Sequence, residues 1–188
     1  LKLNAFSTLV DKTFADQLRA AAGSRPILLA ASTHSPEEQI LLKASQEVVR
    51  AGHPHLLIIA PRHSDRSQDI ARLMPQAAHR SKNQIPLSGD NHFLADSFGE
   101  MSSLVTAADI VILGGSFVPK GGHNPLEIAA LSTPLITGPS QFKNKGEFDT
   151  LQQYGQCITV KDGAALVKQL TIWLEALRTD GRAIPQDN

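Results

Sequence analysis

Cysteine occurs once in this sequence, at Cys157, which leaves no intrachain disulfide framework and suits a reducing compartment. Lying beside the last expected strand, it reads as a small core residue. Neither sign of charge is in excess, with 18 Lys and Arg against 18 Asp and Glu. No net field therefore points toward nucleic acid or an anionic membrane surface. No apolar run approaches the roughly 20 residues that span a bilayer, and no signal peptide is visible. The longest such stretches, Leu56 to Ala60 and Ile110 to Leu113, have the length of strands. A Walker A loop, a nucleophile elbow and a Gly-x-Gly-x-x-Gly fingerprint are all missing, which points away from NTPases and dehydrogenases. His53-Pro54-His55 spaces two metal ligands closely, but Pro54 stiffens the pair and no carboxylate or cysteine cluster accompanies it, so no metal is expected. Leu1 stands where a complete chain would carry Met, so the sequence reads as a piece of a longer protein.

What is present is a globular composition, 41% hydrophobic and 19% charged over 188 residues, enough for one domain with a real core. Short apolar runs alternate with helical patterns. Residues 26–31 form a first strand. Ser35-Pro36-Glu37-Glu38 then has the form of a capping box, with Ser35 as cap, Pro36 in the first turn and Glu38 reaching back to the cap amide. The helix runs to about Arg50 and stops at Ala51-Gly52-His53-Pro54. Residues 55–60 are a second strand and 65–73 a helix. A weaker strand lies near 77–81, and a short one at 93–96 precedes a helix over 99–107. Residues 109–113 form the strongest later strand. Asn124-Pro125-Leu126-Glu127 opens a helix, 134–137 is a strand, 145–154 a helix, 158–160 a strand, and a last helix runs from Gly163 to about Arg178. Residues 1–24 are partly helical and 179–188 a polar tail. This rhythm predicts an α/β, Rossmann-like parallel sheet with helices on both faces.

In such sheets ligands sit at the carboxyl ends of the strands. The distinctive loops follow strands: Ser32-Thr33-His34, Pro61-Arg62-His63, Asp96 to Glu100, and the stretch Gly114 to Asn124. Gly121 and Gly122 allow close backbone approach, and the helix start at Asn124 offers free amides and a positive dipole end, which suits phosphate. Arg62, Lys120 and His123 could add charge there. The plainer reading makes Asn124 a cap and Glu127 its partner, and for Glu127 a structural and a ribose-binding role both stay open. Gly114 and Gly115 can serve a tight turn alone. Arg62 can be merely solvated, and His34 and His63 can be hydrogen-bonded loop residues.

The stretch Gly114-Gly115-Ser116-Phe117-Val118-Pro119-Lys120-Gly121-Gly122-His123-Asn124-Pro125-Leu126-Glu127 closely resembles the donor-site signature of 3-deoxy-D-manno-octulosonic acid (Kdo) transferases. Three further blocks resemble the family in the same order: Ser32-Thr33-His34 with Glu37-Glu38, Pro61-Arg62-His63 with Asp65-Arg66, and Asp96 to Glu100 with Ala108-Asp109. The likeness runs to about residue 178. Pro36 departs from a common Gly, and Phe98 from a common Met.

The resemblance implies the carboxyl-terminal half of an inverting, metal-independent GT-B glycosyltransferase without a cofactor. Such enzymes move Kdo from CMP-Kdo onto the lipid A precursor at the cytoplasmic face of the Gram-negative inner membrane, where the full-length protein would be peripheral or N-terminally anchored and this part soluble. Residues 1–188 would be the donor domain. The lipid site and the carboxylate general base would lie in an amino-terminal domain that this chain lacks, so the chain alone would be inactive. By position, CMP contacts would come from Pro61, Arg62, Phe98, Gly99, Glu100, Asn124, Pro125, Leu126 and Glu127. Further donor contacts are open to Ser32, Thr33, His34, His63, Gly115, Ser116, Lys120, Gly121, Gly122 and His123. The rival readings are a GT-B enzyme or epimerase using a UDP-sugar, and a non-catalytic nucleotide-binding module.

Overall fold

Apolar runs that are continuous rather than alternating belong in a sheet covered on both faces. In the computed structural model, which describes residues 10–181, that is where they lie. The strands are β1 (Ile27–Thr33), β2 (Leu56–Pro61), β3 (Ala78–His79), β4 (His92–Leu94), β5 (Ile110–Leu113), β6 (Leu135–Thr137) and β7 (Cys157–Thr159). They form one parallel seven-stranded sheet in the order β3-β4-β2-β1-β5-β6-β7. The helices are α1 (Lys12–Ala22), α2 (Glu37–Arg50), α3 (Ser67–Leu73), α4 (Met101–Ala107), α5 (Leu126–Ala129), α6 (Lys145–Gln153) and α7 (Gly163–Asp180).

Strand side chains alternate between two cores. Ile27, Leu29 and Ala31 face a layer with Phe14 and Leu18 of α1, Leu104 of α4 and Phe148 of α6. Leu28 and Ala30 face Leu41 and Val48 of α2, Ile70 of α3 and Trp173 of α7. At the amino end of the sheet Asp109 ties α1 to β1. Its Oδ2 accepts from the Ile27 amide at 2.7 Å, and its carboxylate takes the Arg19 guanidinium of α1 at 2.7 and 3.0 Å.

The chain builds β2, β4 and β3 on one side of β1, then returns to lay β5, β6 and β7 on the other. The switch point is therefore between β1 and β5, and the loops leaving their carboxyl ends flank the crevice where such folds bind ligands.

Several expected elements change length. β3 is two residues long and gives way to a 3-10 turn over Arg80–Lys82. The helix expected from Gly99 begins at Met101, because Gly99 has a φ of 81° and lies outside the helical region. The helix opened by Asn124 is the single turn α5. The last helix continues to Asp180 and is closed by Gly181; the rest of the expected polar tail, like residues 1–9, lies outside the described residues.

The capping box at Ser35 does not form. The helix starts at Glu37 behind Pro36, with no side-chain cap, and both glutamates turn inward to better partners.

Candidate functional site

Glu37 is completely buried at the switch point. Its carboxylate accepts from the amides of Gly115 at 2.8 Å, Ser116 at 3.1 Å and Phe117 at 2.9 Å, and from that of His34 at 2.8 Å. One acid thus joins the loop after β1 to the loop after β5. The loops touch closely: a Cβ on Gly114 would fall 2.4 Å from the Ser32 carbonyl oxygen, so only glycine fits there. Ser116 is buried too, its hydroxyl donating to the Leu113 carbonyl and accepting from the Gly138 amide. The amides of Gly115 and Ser116, offered above as donor contacts, are committed inside the protein.

Glu38 does the same work for the loop after β2. Its oxygens take the Thr33 hydroxyl at 2.7 Å and the Arg66 guanidinium at 2.7 and 3.0 Å. Burial pushes this carboxyl up, but Arg66 and Thr33 outweigh it, and the net shift is downward. Thr33 therefore faces Glu38. Both glutamates were read from sequence as a helix start; they are buried braces for the site loops.

The loop 96–100 is pinned at both ends. Asp96 accepts from the amide and hydroxyl of Ser81, each at 2.8 Å. Glu100 is held by Arg80 at 2.6 and 2.9 Å and by the Ser97 hydroxyl, while Arg80 lies over the Phe14 ring at 4.2 Å. Burial pushes Glu100 up, yet its bonds to Arg80 and Ser97 leave it below the usual carboxylate range. Between the pins, Phe98 stands out 74% exposed.

These loops enclose a cleft of about 350 Å³ at the carboxyl ends of the strands. Its floor is made of the small side chains Ala31, Ala60 and Ala95. Of the residues assigned to CMP, the cleft brings together Pro61, Arg62, Phe98, Gly99, Glu100, Asn124 and Glu127, with Ser32 and His123 beside them. Pro125 is buried behind it, and Leu126 is exposed outside its lining. Asn124 Oδ1 accepts from the Leu126 amide at 3.0 Å, as a cap would. Glu127, by contrast, is exposed and does not reach back to the cap. A single turn of helix carries little macrodipole. The amides of Gly121 and Gly122 bond to Ser140 Oγ and the Gly115 carbonyl, so backbone donation to a ligand falls to His123 and Asn124, whose amides bond to no group among the described residues.

A second hollow of about 340 Å³ adjoins the first, sharing Arg62 and His123 with it. His34, His63, Lys120, Gly122 and Lys143 complete its lining. His34 Nε2 and His123 Nε2 are 2.9 Å apart, so one ring donates and the other accepts. His63 meets His34 edge-on at 5.7 Å. Burial, then the neighbouring His34 and the cations Arg62 and Lys143, bring His123 down to about 4; burial, His63 and Lys120 also lower His34. Both rings are neutral near pH 7. Lys143 had no place in the sequence reading, although it follows β6 and the strand-end rule covers it. His55, weighed above only as half of a metal pair, is buried between Ser45 Oγ at 2.7 Å and the His53 carbonyl at 2.9 Å.

No family model matches the chain. Individual proteins do. The 3-deoxy-D-manno-octulosonic acid transferase of Haemophilus influenzae is 42% identical over 123 residues, 63% of this chain and 29% of the relative. The enzyme of the same name from Rickettsia prowazekii is 31% identical over 172 residues, 89% of this chain and 37% of the relative. The C-terminal CMP-Kdo binding domain of WaaA from Acinetobacter baumannii superposes with a TM-score of 0.79 at 27% identity, covering 94% of this chain and 92% of that one. The chain belongs to the Kdo transferase family. It spans between 29% and 37% of the length of these two curated relatives, and its structural counterpart is a C-terminal domain. WaaG, a glycosyltransferase involved in lipopolysaccharide biosynthesis, shares the fold at a TM-score of 0.56 and 18% identity. Kdo transferases and this more distant glycosyltransferase thus have the same parallel sheet, the C-terminal half of the GT-B architecture.

Proposed function

We propose that this chain is the donor domain of a Kdo transferase and holds CMP-Kdo in the crevice between β1 and β5. The observation that carries the reading is the convergence of the loops after β1, β2, β4 and β5 on one cleft, in a fold that superposes on a CMP-Kdo binding domain. The nucleoside lies over the alanine floor, near Phe98 and Gly99. Glu127, and Glu100 held by Arg80, accept from ribose hydroxyls or the cytosine amino group, since ionised carboxylates only accept. The phosphate lies against Arg62 and the amides of His123 and Asn124.

Breaking the bond from Kdo to CMP leaves negative charge on the departing phosphate and positive character on the anomeric carbon. Fixed donors aimed at that phosphate lower the barrier because they need no reorganisation as charge develops. Inversion also needs a base on the opposite face of the sugar, within hydrogen-bond reach of the acceptor hydroxyl. We assign that base and the lipid A precursor to another domain of the full-length protein, working at the cytoplasmic face of the inner membrane. Among the described residues no helix is long and apolar enough to cross a membrane. Closure of the two domains would exclude water and position the acceptor.

Calorimetry on this chain tests the donor half of the proposal. CMP is expected to bind about tenfold or more tighter than cytidine, as a charge-assisted phosphate contact requires, and tighter than UMP. Equal affinities for CMP and cytidine would remove the phosphate from this position. Mixed with CMP-Kdo and a lipid A precursor, the chain alone is expected to give no glycosylated lipid; product at the rate of the full-length enzyme would place the base among these residues.

A further inference from the structure

The second hollow is not needed to hold a nucleotide monophosphate, and its chemistry is one-sided. Arg62 from the loop after β2, Lys120 from the loop after β5 and Lys143 from the loop after β6 converge on it, and among the described residues no Asp or Glu lines it. Two acids beneath it are already committed, Glu37 to four amides and Glu38 to Thr33 and Arg66. Elsewhere on the surface, cations such as Arg72 and Lys145 pair with carboxylates one helical turn away. Three convergent cations with no counter-ion in a concave site repel one another until an anion enters. The histidines fit the same occupant. His34 and His123 tie their Nε2 atoms together, and the His63 ring has no hydrogen-bond partner among the described residues, so the rings offer donors and acceptors to hydroxyls around an anion.

Position says which anion. Arg62 and His123 line both hollows, so a phosphate at that boundary has the nucleoside on one side and its sugar on the other. In a nucleotide-linked ulosonate the anomeric carbon bears both the phosphate oxygen and a carboxylate. The carboxylate must then lie next to the phosphate, on the sugar side.

We propose that the hollow formed by His34, His63, Lys120 and Lys143 is a carboxylate subsite that selects nucleotide-linked sugar acids over neutral nucleotide sugars. This rests on the donor-site reading, and the test separates the two. The chain and a Lys143→Met/His63→Gln variant are titrated with CMP and with freshly made CMP-Kdo; both substituted side chains are exposed and line only the second hollow. The wild-type chain is expected to bind CMP-Kdo at least tenfold tighter than CMP. The variant should lose most of that ratio while its affinity for CMP stays within twofold. If CMP binds but CMP-Kdo binds no tighter in the wild type, or if the variant weakens both ligands equally, the hollow is not a carboxylate subsite. Failure of CMP itself to bind overturns the donor reading and this subsite with it.

Discussion

The two ends of the sheet handle charge in opposite ways. At the amino end every cation lining the hollow there is matched: Arg19 grips Asp109, Arg25 bonds to Asn91 Oδ1 at 3.0 Å and to backbone carbonyls, and Arg178 pairs with Glu175. At the carboxyl end Arg62, Lys120 and Lys143 converge on the second hollow, which no carboxylate among the described residues lines. Of the acids at that end, Glu37 and Glu38 lie one layer deeper and hold loops, while Glu100 and Glu127 line the adjoining cleft. Paired charge at one end holds structure together; at the other, Arg62, Lys120 and Lys143 have no ion-pair partner among the described residues. A hollow alone does not distinguish the ends, because the amino-end cavity, about 390 Å³, is as large as the donor cleft.

The comparison breaks most sharply at its two braces, Glu37 and Asp109. Glu37→Ala strands four amides that now share one carboxylate, and should cost about 3 kcal/mol or more in urea unfolding and abolish CMP binding. Asp109→Ala, which releases Arg19 and the Ile27 amide, should cost about 2 kcal/mol and leave CMP affinity within twofold. Loss of CMP affinity in the Asp109 variant would mean that the two ends are coupled and the division of roles is wrong.

Much of this was legible in the sequence, for physical reasons that also mark where legibility ends. β1, β2 and β5 are buried on both faces, so their apolar runs announced them, and the loops that follow them announced the crevice. The edge strand β3, two residues long, has too little pattern to bound. Ser35-Pro36-Glu37-Glu38 had the spacing of a capping box, yet three of the four amides on Glu37 come from 78 to 80 residues away. Local spacing cannot show a partner at that distance. Arg80, which holds Glu100, and Lys143 were missed likewise, because each comes from a segment with no motif of its own.

A smaller effect concerns acid. His55 is buried in the α2–β2 corner, its Nδ1 donating to the His53 carbonyl and its Nε2 accepting from Ser45. Burial brings the ring down from 6.5 to about 4, with His92 and Arg25 adding to the shift. The folded state therefore refuses a proton that the unfolded chain accepts. Its contribution is intact above pH 6.5 and is lost as pH falls toward 4, the loss reaching about 2 kcal/mol at pH 5. His123 shifts in the same direction, with less weight because the ring is only half-buried. Urea midpoints should fall between pH 7 and pH 5, and His55→Gln should flatten that slope even if it lowers stability at pH 7. An unchanged slope in the variant would place the acid sensitivity elsewhere.

The smallest expected effect on the fold, and the sharpest on the ligand, belongs to Glu127. Sequence left two roles open for it, cap partner and ribose acceptor. As a cap it would reach back toward Asn124, but it is exposed, lines the cleft, and α5 is capped from the Asn124 side chain instead. Glu127→Gln keeps the shape and removes the charge. Unfolding should therefore shift by well under about 1 kcal/mol, whereas a true cap partner would approach that value. CMP affinity should fall roughly tenfold, the scale of a hydrogen bond to a charged group in a partly solvated site. A double-mutant cycle locates the partner. If Glu127 accepts from the ribose 2′-hydroxyl, 2′-deoxy-CMP should bind the wild-type chain about as weakly as CMP binds the variant, and the two losses should not add. Additive losses would move Glu127 away from that hydroxyl, toward the cytosine amino group. An unchanged CMP affinity would remove it from the nucleotide altogether, and Glu100, already fixed by Arg80, would be left as the acid that reads the donor.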